Sequence, residues 1–398
     1  MTEQDKKKFK TVPAMDMDEY KQKIREHRLK ILKRTLVTAL IVFTIIAGLF
    51  LFLALRHYED FDVNSTVERS DTAATIFEEF QGNILKYSND GALYTDTYNE
   101  RIWNQTYEMA KPTIDMCEDY LVIYDKKGTQ IYIMTSQGLV SNIETTMTIE
   151  QVSIAAQGTV AVLMGDQSNS YLVVYDKNGK ELVNGAIYGE DGGYPIAIAL
   201  SNDAIKLAVS MLDINDGNVK TTIAFYNFGS VGENEIDRIV SANSFSDMVI
   251  PQLDFVSDDR MVAYGDSEIA IFEGTQKPKL AQEIPLTGEA KSIFNNNKYV
   301  GVVYSNNDEK LTHHVAVYDM HGFTVMEKDF SQEYTEIGFL PNNEVCILNE
   351  HSCDIYTVRG IYKFHYDFDE ELYKIISGGT GLNYTIILEN STEKVRLK

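Results

Sequence analysis

The chain of 398 residues contains one tryptophan, three cysteines, seven prolines and seven histidines, and each shortage removes a class of protein. Cys117, Cys346 and Cys353 are odd in number, so they cannot all pair within one chain and cannot supply a disulfide framework. The fold must rest on an apolar core, for which 44% hydrophobic residues are enough. No G-x-S-x-G, H-E-x-x-H, phosphate-loop or dinucleotide-binding pattern occurs, and the histidines lie apart from any evident nucleophile. Basic residues are scarce beyond position 55. From 56 to 398 there are 25 Lys and Arg against 53 Asp and Glu, a balance of −28. Such a body repels phosphate backbones and anionic lipid, which argues against nucleic-acid binding.

One long apolar run is present. Leu36 to Leu55 reads LVTALIVFTIIAGLFLFLAL without a charge, and twenty residues at 1.5 Å rise span about 30 Å, the thickness of a bilayer core. Lys21, Lys23, Arg25, Arg28, Lys30, Lys33 and Arg34 precede the run, while only Arg56 and His57 follow it directly. This asymmetry places the N-terminus in the cytoplasm. The run is longer than the apolar part of a cleaved signal peptide and lacks a small-residue exit site, so it reads as an uncleaved signal anchor. The expected plan is a basic, partly helical cytoplasmic tail over 1–34, a transmembrane anchor over 35–55, a polar linker over 56–71, and an extracytoplasmic domain over 72–398, at the plasma membrane. The tail's ordinary reading is a solvated helix that sets topology; docking to a partner or to anionic lipid is the alternative.

The large domain reads as all-β. Runs rich in Val, Ile, Tyr and Thr, such as Tyr120-Leu-Val-Ile-Tyr124, Tyr171-Leu-Val-Val-Tyr175 and His314-Val-Ala-Val-Tyr318, stop at corners such as Asp125-Lys-Lys-Gly128, Asp176-Lys-Asn-Gly179 and Asp319-Met-His-Gly322. The residues closing those strands are Tyr87, Tyr124, Tyr175, Tyr226, Phe272, Tyr318, Tyr356 and Leu388, spaced by 32 to 51 residues. A mean near 43 is the length of a four-stranded propeller blade, whereas tandem sandwiches need about 100 and β-helices 20 to 30. Six groups of strands open after Lys111, Thr148, Tyr194, Met248, Ala290 and Tyr334, and strands are left over at both ends. The expectation is a β-propeller of seven or eight blades, eight favoured, with one blade completed from both termini so that no edge stays open at the closure.

Ser88-Asn-Asp-Gly-Ala-Leu-Tyr94, followed by Arg101-Ile-Trp103, resembles the repeat of quinoprotein-like propellers, and the aromatic-Asp-x-x-Gly corners are shared with WD-repeat-like propellers. With its basic tail, single span and acidic propeller, the whole chain resembles an uncharacterised family of bacterial single-pass membrane propellers, which implies no established activity. A quinone cofactor is not expected: the resemblance implies repeated tryptophans and an adjacent cysteine pair around it, and this chain has neither.

Other candidates are modest. If Asn349 and Glu350 form a two-residue turn, Cys346 faces Cys353 within disulfide reach; buried inert thiols are the other reading. Cys346, His351, Cys353 and His365 contain metal-binding residue types at a spacing that fits no zinc pattern. His313 and His314 are adjacent on a strand and point oppositely. Asp213-Ile-Asn-Asp-Gly217 and Gly189-Glu-Asp-Gly-Gly193 have oxygen ligands for calcium without the ordered positions of an EF-hand loop. No catalytic, cofactor-binding or metal residue is assigned. The leading functional expectation is a membrane-tethered module that binds a protein or an envelope component, and the alternative is a propeller enzyme, hydrolase, lyase or quinone-dependent, with residues converging in the central funnel.

Overall fold

In the computed structural model, residues 17–72, 74–165, 169–187, 193–215, 217–306, 310–378 and 381–398 are described. The chain divides into two units, Met1–His57 and Tyr58–Lys398. In the first, Met17–Ala54 is one unbroken helix of 38 residues, about 57 Å long at 1.5 Å per residue. Its stretch from Tyr20 to Leu49 is long and apolar enough to cross a membrane. Thr38 and Thr44 donate their hydroxyls to the carbonyls of Arg34 and Leu40 one turn back, so neither brings an unsatisfied polar group to the apolar surface.

The second unit is a β-propeller of eight four-stranded antiparallel sheets. Seven blades take four consecutive strands each. Their first strands, Ile76–Phe80, Pro112–Cys117, Thr148–Ile154, Tyr194–Leu200, Gln252–Ser257, Ala290–Asn295 and Glu336–Phe339, pack around the central channel with Leu372–Ser377 of blade 8. Middle strands are buried on both faces, as at Val160–Gly165, which explains their continuous apolar runs. Outer strands such as Glu181–Ile187 are largely exposed.

Blade 8 closes the ring. Its strands Leu372–Ser377, Asn383–Leu388 and Ser391–Leu397 come from the C-terminus, and the fourth is Phe61–Glu68, antiparallel to Ser391–Leu397 with Phe61 opposite Leu397 and Glu68 opposite Ser391. The closure from both termini is therefore present, but its N-terminal strand lies inside the stretch expected to be a linker. The physical reason is its position: an outermost strand buries little, so Phe-Asp-Val-Asn-Ser-Thr-Val-Glu needs no apolar alternation and reads as polar chain. Residues 72–110 hold the four strands of blade 1, Ile76–Phe80, Asn83–Ser88, Gly91–Thr95 and Arg101–Thr106.

The jitter in the turn spacing also has a structural cause. Tyr87, Tyr124 and Leu388 end second strands, whereas Tyr175, Tyr226, Phe272, Tyr318 and Tyr356 end third strands. The change of position falls at the 51-residue interval after Tyr124 and at the 32-residue interval before Leu388, so the similar corners occupy opposite faces of the disk. At Asp176 the carboxylate accepts the backbone N–H groups of Asn178 and Lys180, both at 2.9 Å, and Gly179 takes φ +79°. Asp319 caps its corner alike through His321 and Phe323, with Gly322 at φ +81°.

Each junction between neighbouring blades holds its own apolar cluster. Those between blades 5 and 6 and between blades 7 and 8 are large, the latter with Tyr58, Cys346, Cys353, Phe364 and Tyr384. The seam between blade 8 and blade 1 has only Phe77, Ile84, Ile376 and Ile387 as its buried members. Charge supplements it. The Arg69 guanidinium donates to Asp71 (3.0 Å) and to the Leu388 carbonyl and lies over the rings of Phe77 and Tyr373 (4.4 and 5.0 Å). The Lys86 ammonium donates to Asp71 (2.8 Å) and to Asn99 (2.6 Å). The two cationic side chains are 1% and 3% exposed.

Candidate functional site

The central channel is one candidate, and the inner strands place charged residues in it. Lys374 donates to Glu78 (2.9 Å) and Glu336 (2.7 Å), linking blades 1, 7 and 8. Burial opposes the Lys374 charge, but the two carboxylates outweigh it and its pKa is raised. These three line a cavity of about 290 Å³ that Cys346 and Pro341 also border.

An adjoining cavity of about 390 Å³ is bordered by the inner strands of blades 2 to 6 and holds Asp115 and Asp254. Burial pushes Asp115 up to about 7, although it accepts the N–H groups of Ile154 (2.8 Å) and Met116 (3.0 Å); the Asp254 charge adds to the rise. Burial pushes Asp254 up to about 6 against hydrogen bonds from Gln252 and Asn295. Burial thus holds both channel carboxyls above the ordinary carboxylate range. Among the described residues, no group of three or more His, Cys, Asp or Glu is arranged to hold a metal ion.

The second candidate is apolar. Between the outer parts of blades 3 and 4 lies a cavity of about 650 Å³ lined by Leu172, Val183, Ile187, Met211, Tyr226 and Phe228, among others. A further cavity of about 560 Å³ shares Val183, Asn184, Phe228 and Arg238 with it, so the two form one groove along the junction. The groove exists because blade 3's outer strand offers Asn184-Gly185-Ala186 there, side chains too small to fill the space; a Cβ added at Gly185 would meet nothing within 4 Å. Glu181–Ile187 is also the outermost strand of its sheet among the described residues. Asp237 and Arg238, at the end of the groove, take φ of +53° and +61°, left-handed values uncommon outside glycine.

The residues singled out in the sequence do not converge. The turn between Cys346 and Cys353 is formed by Glu350 and His351, with Asn349 N–H donating to the Ser352 carbonyl, one residue further on than a cross-strand disulfide requires. Cys353 therefore faces Leu348, Cys346 faces Ile355, and all three thiols are free. Burial raises the pKa of Cys346 and Cys353 well above the ordinary thiol value and pushes Cys117 up to about 12.

The candidate metal residues are committed elsewhere: His351 Nδ1 lies 3.2 Å from the Glu370 carbonyl and His365 Nδ1 3.0 Å from Asp354. His313 and His314 do diverge, the first against Phe330 and Tyr334, the second onto Asp329 at 2.6 Å. Asp213 accepts from the Asn215 amide, while residue 216 and residues 188–192 of the two acidic corners lie outside the described residues. Sequence reasoning missed both the channel acids and the groove. Single charges inside inner-strand runs, such as Thr-Ile-Asp-Met-Cys at 113–117 and Leu-Tyr-Lys-Ile at 372–375, were the available signal.

The class is thus an eight-bladed β-propeller preceded by one long apolar helix. Over residues 54–397 the sequence matches a family of unknown function, DUF5711, and the chain belongs to it. Comparison with curated proteins gave no match. Among solved structures, BamB from Moraxella catarrhalis is similar with a TM-score of 0.52 at 12% identity, covering 85% of this chain and 100% of BamB. The WD40 domain of Neurospora crassa Pan2 gives 0.42 at 11% identity, covering 72% and 88% of the two chains. Kluyveromyces lactis Hsv2 gives 0.46 at 11% identity, covering 80% and 98%. At 12% identity the likeness to BamB concerns the fold.

Proposed function

We propose that this protein is a membrane-tethered interaction module: the apolar helix anchors it in the plasma membrane with the N-terminus in the cytoplasm, and the propeller binds a protein partner outside. The observation that carries the reading is the groove between blades 3 and 4, an apolar trough beside an outermost strand on a rigid ring. Its occupant is an extended segment of a protein partner. Backbone groups of Glu181–Ile187 offer such a segment main-chain hydrogen bonds, and the trough accepts its apolar side chains. The flanking charge pattern, seven basic residues before the span and Arg56 with His57 after it, supports the orientation.

The test is photo-crosslinking in cells with Leu182→Asp, whose side chain borders the groove and is 53% exposed, against Leu139→Asp on the outer strand of blade 2, 47% exposed and away from it. Loss of a cross-linked partner with Leu182→Asp but not with Leu139→Asp is expected. Equal retention by both variants overturns the assignment. An enzyme acting in the channel is the second reading, favoured by the two carboxyls titrating near neutrality; it requires turnover that Asp115→Asn abolishes while Leu182→Asp leaves it intact.

A further inference from the structure

The seam between blades 8 and 1 is apolar in one part and polar in another. In blade 1, Ile84 and Lys86 of strand Asn83–Ser88 stand opposite Thr95 and Leu93 of strand Gly91–Thr95, and Leu93 stands opposite Asn104 of strand Arg101–Thr106. Alternation puts these side chains on one face of the sheet. That face is turned to blade 8, because Ile84 packs with Ile376 and Ile387, whereas Leu85, Tyr94 and Trp103 point the other way into the cluster shared with blade 2. Where the face becomes polar a cavity of about 470 Å³ opens, bordered by Asp71, Lys86, Thr95, Asn99, Arg101 and Asn104 among others.

Two features of this cavity have no role in holding the seam. The Thr95 hydroxyl has no hydrogen-bond partner among the described residues, although Thr95 is 1% exposed; a buried hydroxyl left unpaired is a cost to the fold. Positive charge also exceeds negative. Arg69 and Lys86, both buried, share the single carboxylate of Asp71, and the charges acting on Lys86 are those of Asp71 and Arg69. Arg101 adds a further cation at the rim, exposed and, among the described residues, in no ion pair. The neighbouring acids Glu68, Asp96 and Glu100 do not border the cavity, and Asp96 accepts the N–H groups of Tyr98 (2.8 Å) and Glu100 (2.9 Å).

We propose that this cavity binds a small organic carboxylate, held between the Lys86 ammonium and the Arg101 guanidinium with one oxygen accepting the Thr95 hydroxyl. The register brings the three together: Thr95 stands directly opposite Arg101, and Lys86 is its diagonal neighbour on the other side, a separation of about 7–8 Å that a carboxylate and a long side chain span. A planar monoanion suits the guanidinium fork. Asp71, on the same wall, repels a second negative charge and so selects against phosphate. The Asn104 amide is a further donor at the rim, and the volume is within the range of small-molecule sites.

Trifluoroacetate is titrated into the detergent-solubilised full chain at constant ionic strength, and its fluorine NMR line width is followed. The line should broaden with the unmodified chain, and acetate should narrow it again at lower concentration than phosphate does. Thr95→Val, which keeps the side-chain shape, and Arg101→Gln, at an exposed position, should each weaken binding about tenfold. Thr95→Val should at the same time leave the urea midpoint unchanged or higher, since it removes an unpaired buried hydroxyl. Equal broadening by all three chains, or by none, overturns the site. Weakening by Arg101→Gln but not by Thr95→Val overturns the cavity in favour of an ion pair at the surface. Displacement by phosphate ahead of acetate overturns the choice of a carboxylate.

Discussion

Replacing Asp71 by Asn tests the closure of the ring most severely. The seam between blades 8 and 1 has the smallest apolar cluster, and Asp71 is the anion shared by Arg69 and Lys86, both nearly inaccessible to water. Burial opposes the Asp71 charge, but the hydrogen bonds from Lys86 and Arg69 outweigh it and hold its pKa below the ordinary value. For Lys86 the balance runs the other way: burial lowers its pKa despite the attraction of Asp71. Removing the anion strands two buried cations, which costs about 3–5 kcal/mol, a large part of the 5–15 kcal/mol typical of a folded domain.

Because a lysine with a depressed folded-state pKa binds its proton less tightly than in the unfolded chain, stability rises with pH across the window between the two values. Without Asp71 that window widens downward, so the deficit of Asp71→Asn should shrink between pH 7 and pH 9.5. Urea unfolding of the detergent-solubilised chain, followed by emission of Trp103 on blade 1, measures both effects. Asp71→Asn combined with Lys86→Met should recover much of the loss. A deficit below about 1 kcal/mol, the range of a surface ion pair, or one that is flat with pH, refutes the reasoning.

Other expectations follow from the same geometry. Asp254→Asn should raise stability at pH 8 and change little at pH 4, because a carboxyl raised to about 6 carries its ionisation penalty above that pH and sheds it below; the gain is at most about 3 kcal/mol, and equal midpoints at both pH values contradict it. The thiols of Cys346 and Cys353, 3% and 0% exposed, should leave the intact mass unchanged by reductant and resist alkylation until urea is added; prompt native labelling of either counts against the burial described. Gly301→Ala should cost about 1–3 kcal/mol in the same unfolding assay, since its Cβ would lie 2.1 Å from the Phe294 ring, whereas Gly185→Ala, with nothing within 4 Å, should cost well under that.

The blade repeat was legible because propeller geometry writes itself locally: middle strands such as Tyr120–Asp125 are buried on both faces, and Asp176 or Asp319 caps a tight corner within five residues of chain. Phe61–Glu68 was not, because an outer strand buries little and its pairing partner lies more than 320 residues away. The turn between Cys346 and Cys353 shows how a shift of one residue moves a pairing: with Glu350-His351 at the corner instead of Asn349-Glu350, each thiol finds a different partner. The channel and the groove were hidden for a further reason. Asp115 and Asp254, or Val183 and Phe228, come from different blades, and each alone resembles an ordinary strand or loop residue.

The placement of the propeller across the membrane from the basic segment is the claim on which the functional account depends, and site-specific labelling of intact cells with a membrane-impermeant maleimide tests it. With Cys117 replaced by Ser and the two buried thiols silent, Asn178→Cys at an exposed corner of blade 3 should label in intact cells, and Gln22→Cys before the apolar run only after lysis. Labelling of position 22 but not of position 178 in intact cells would contradict it.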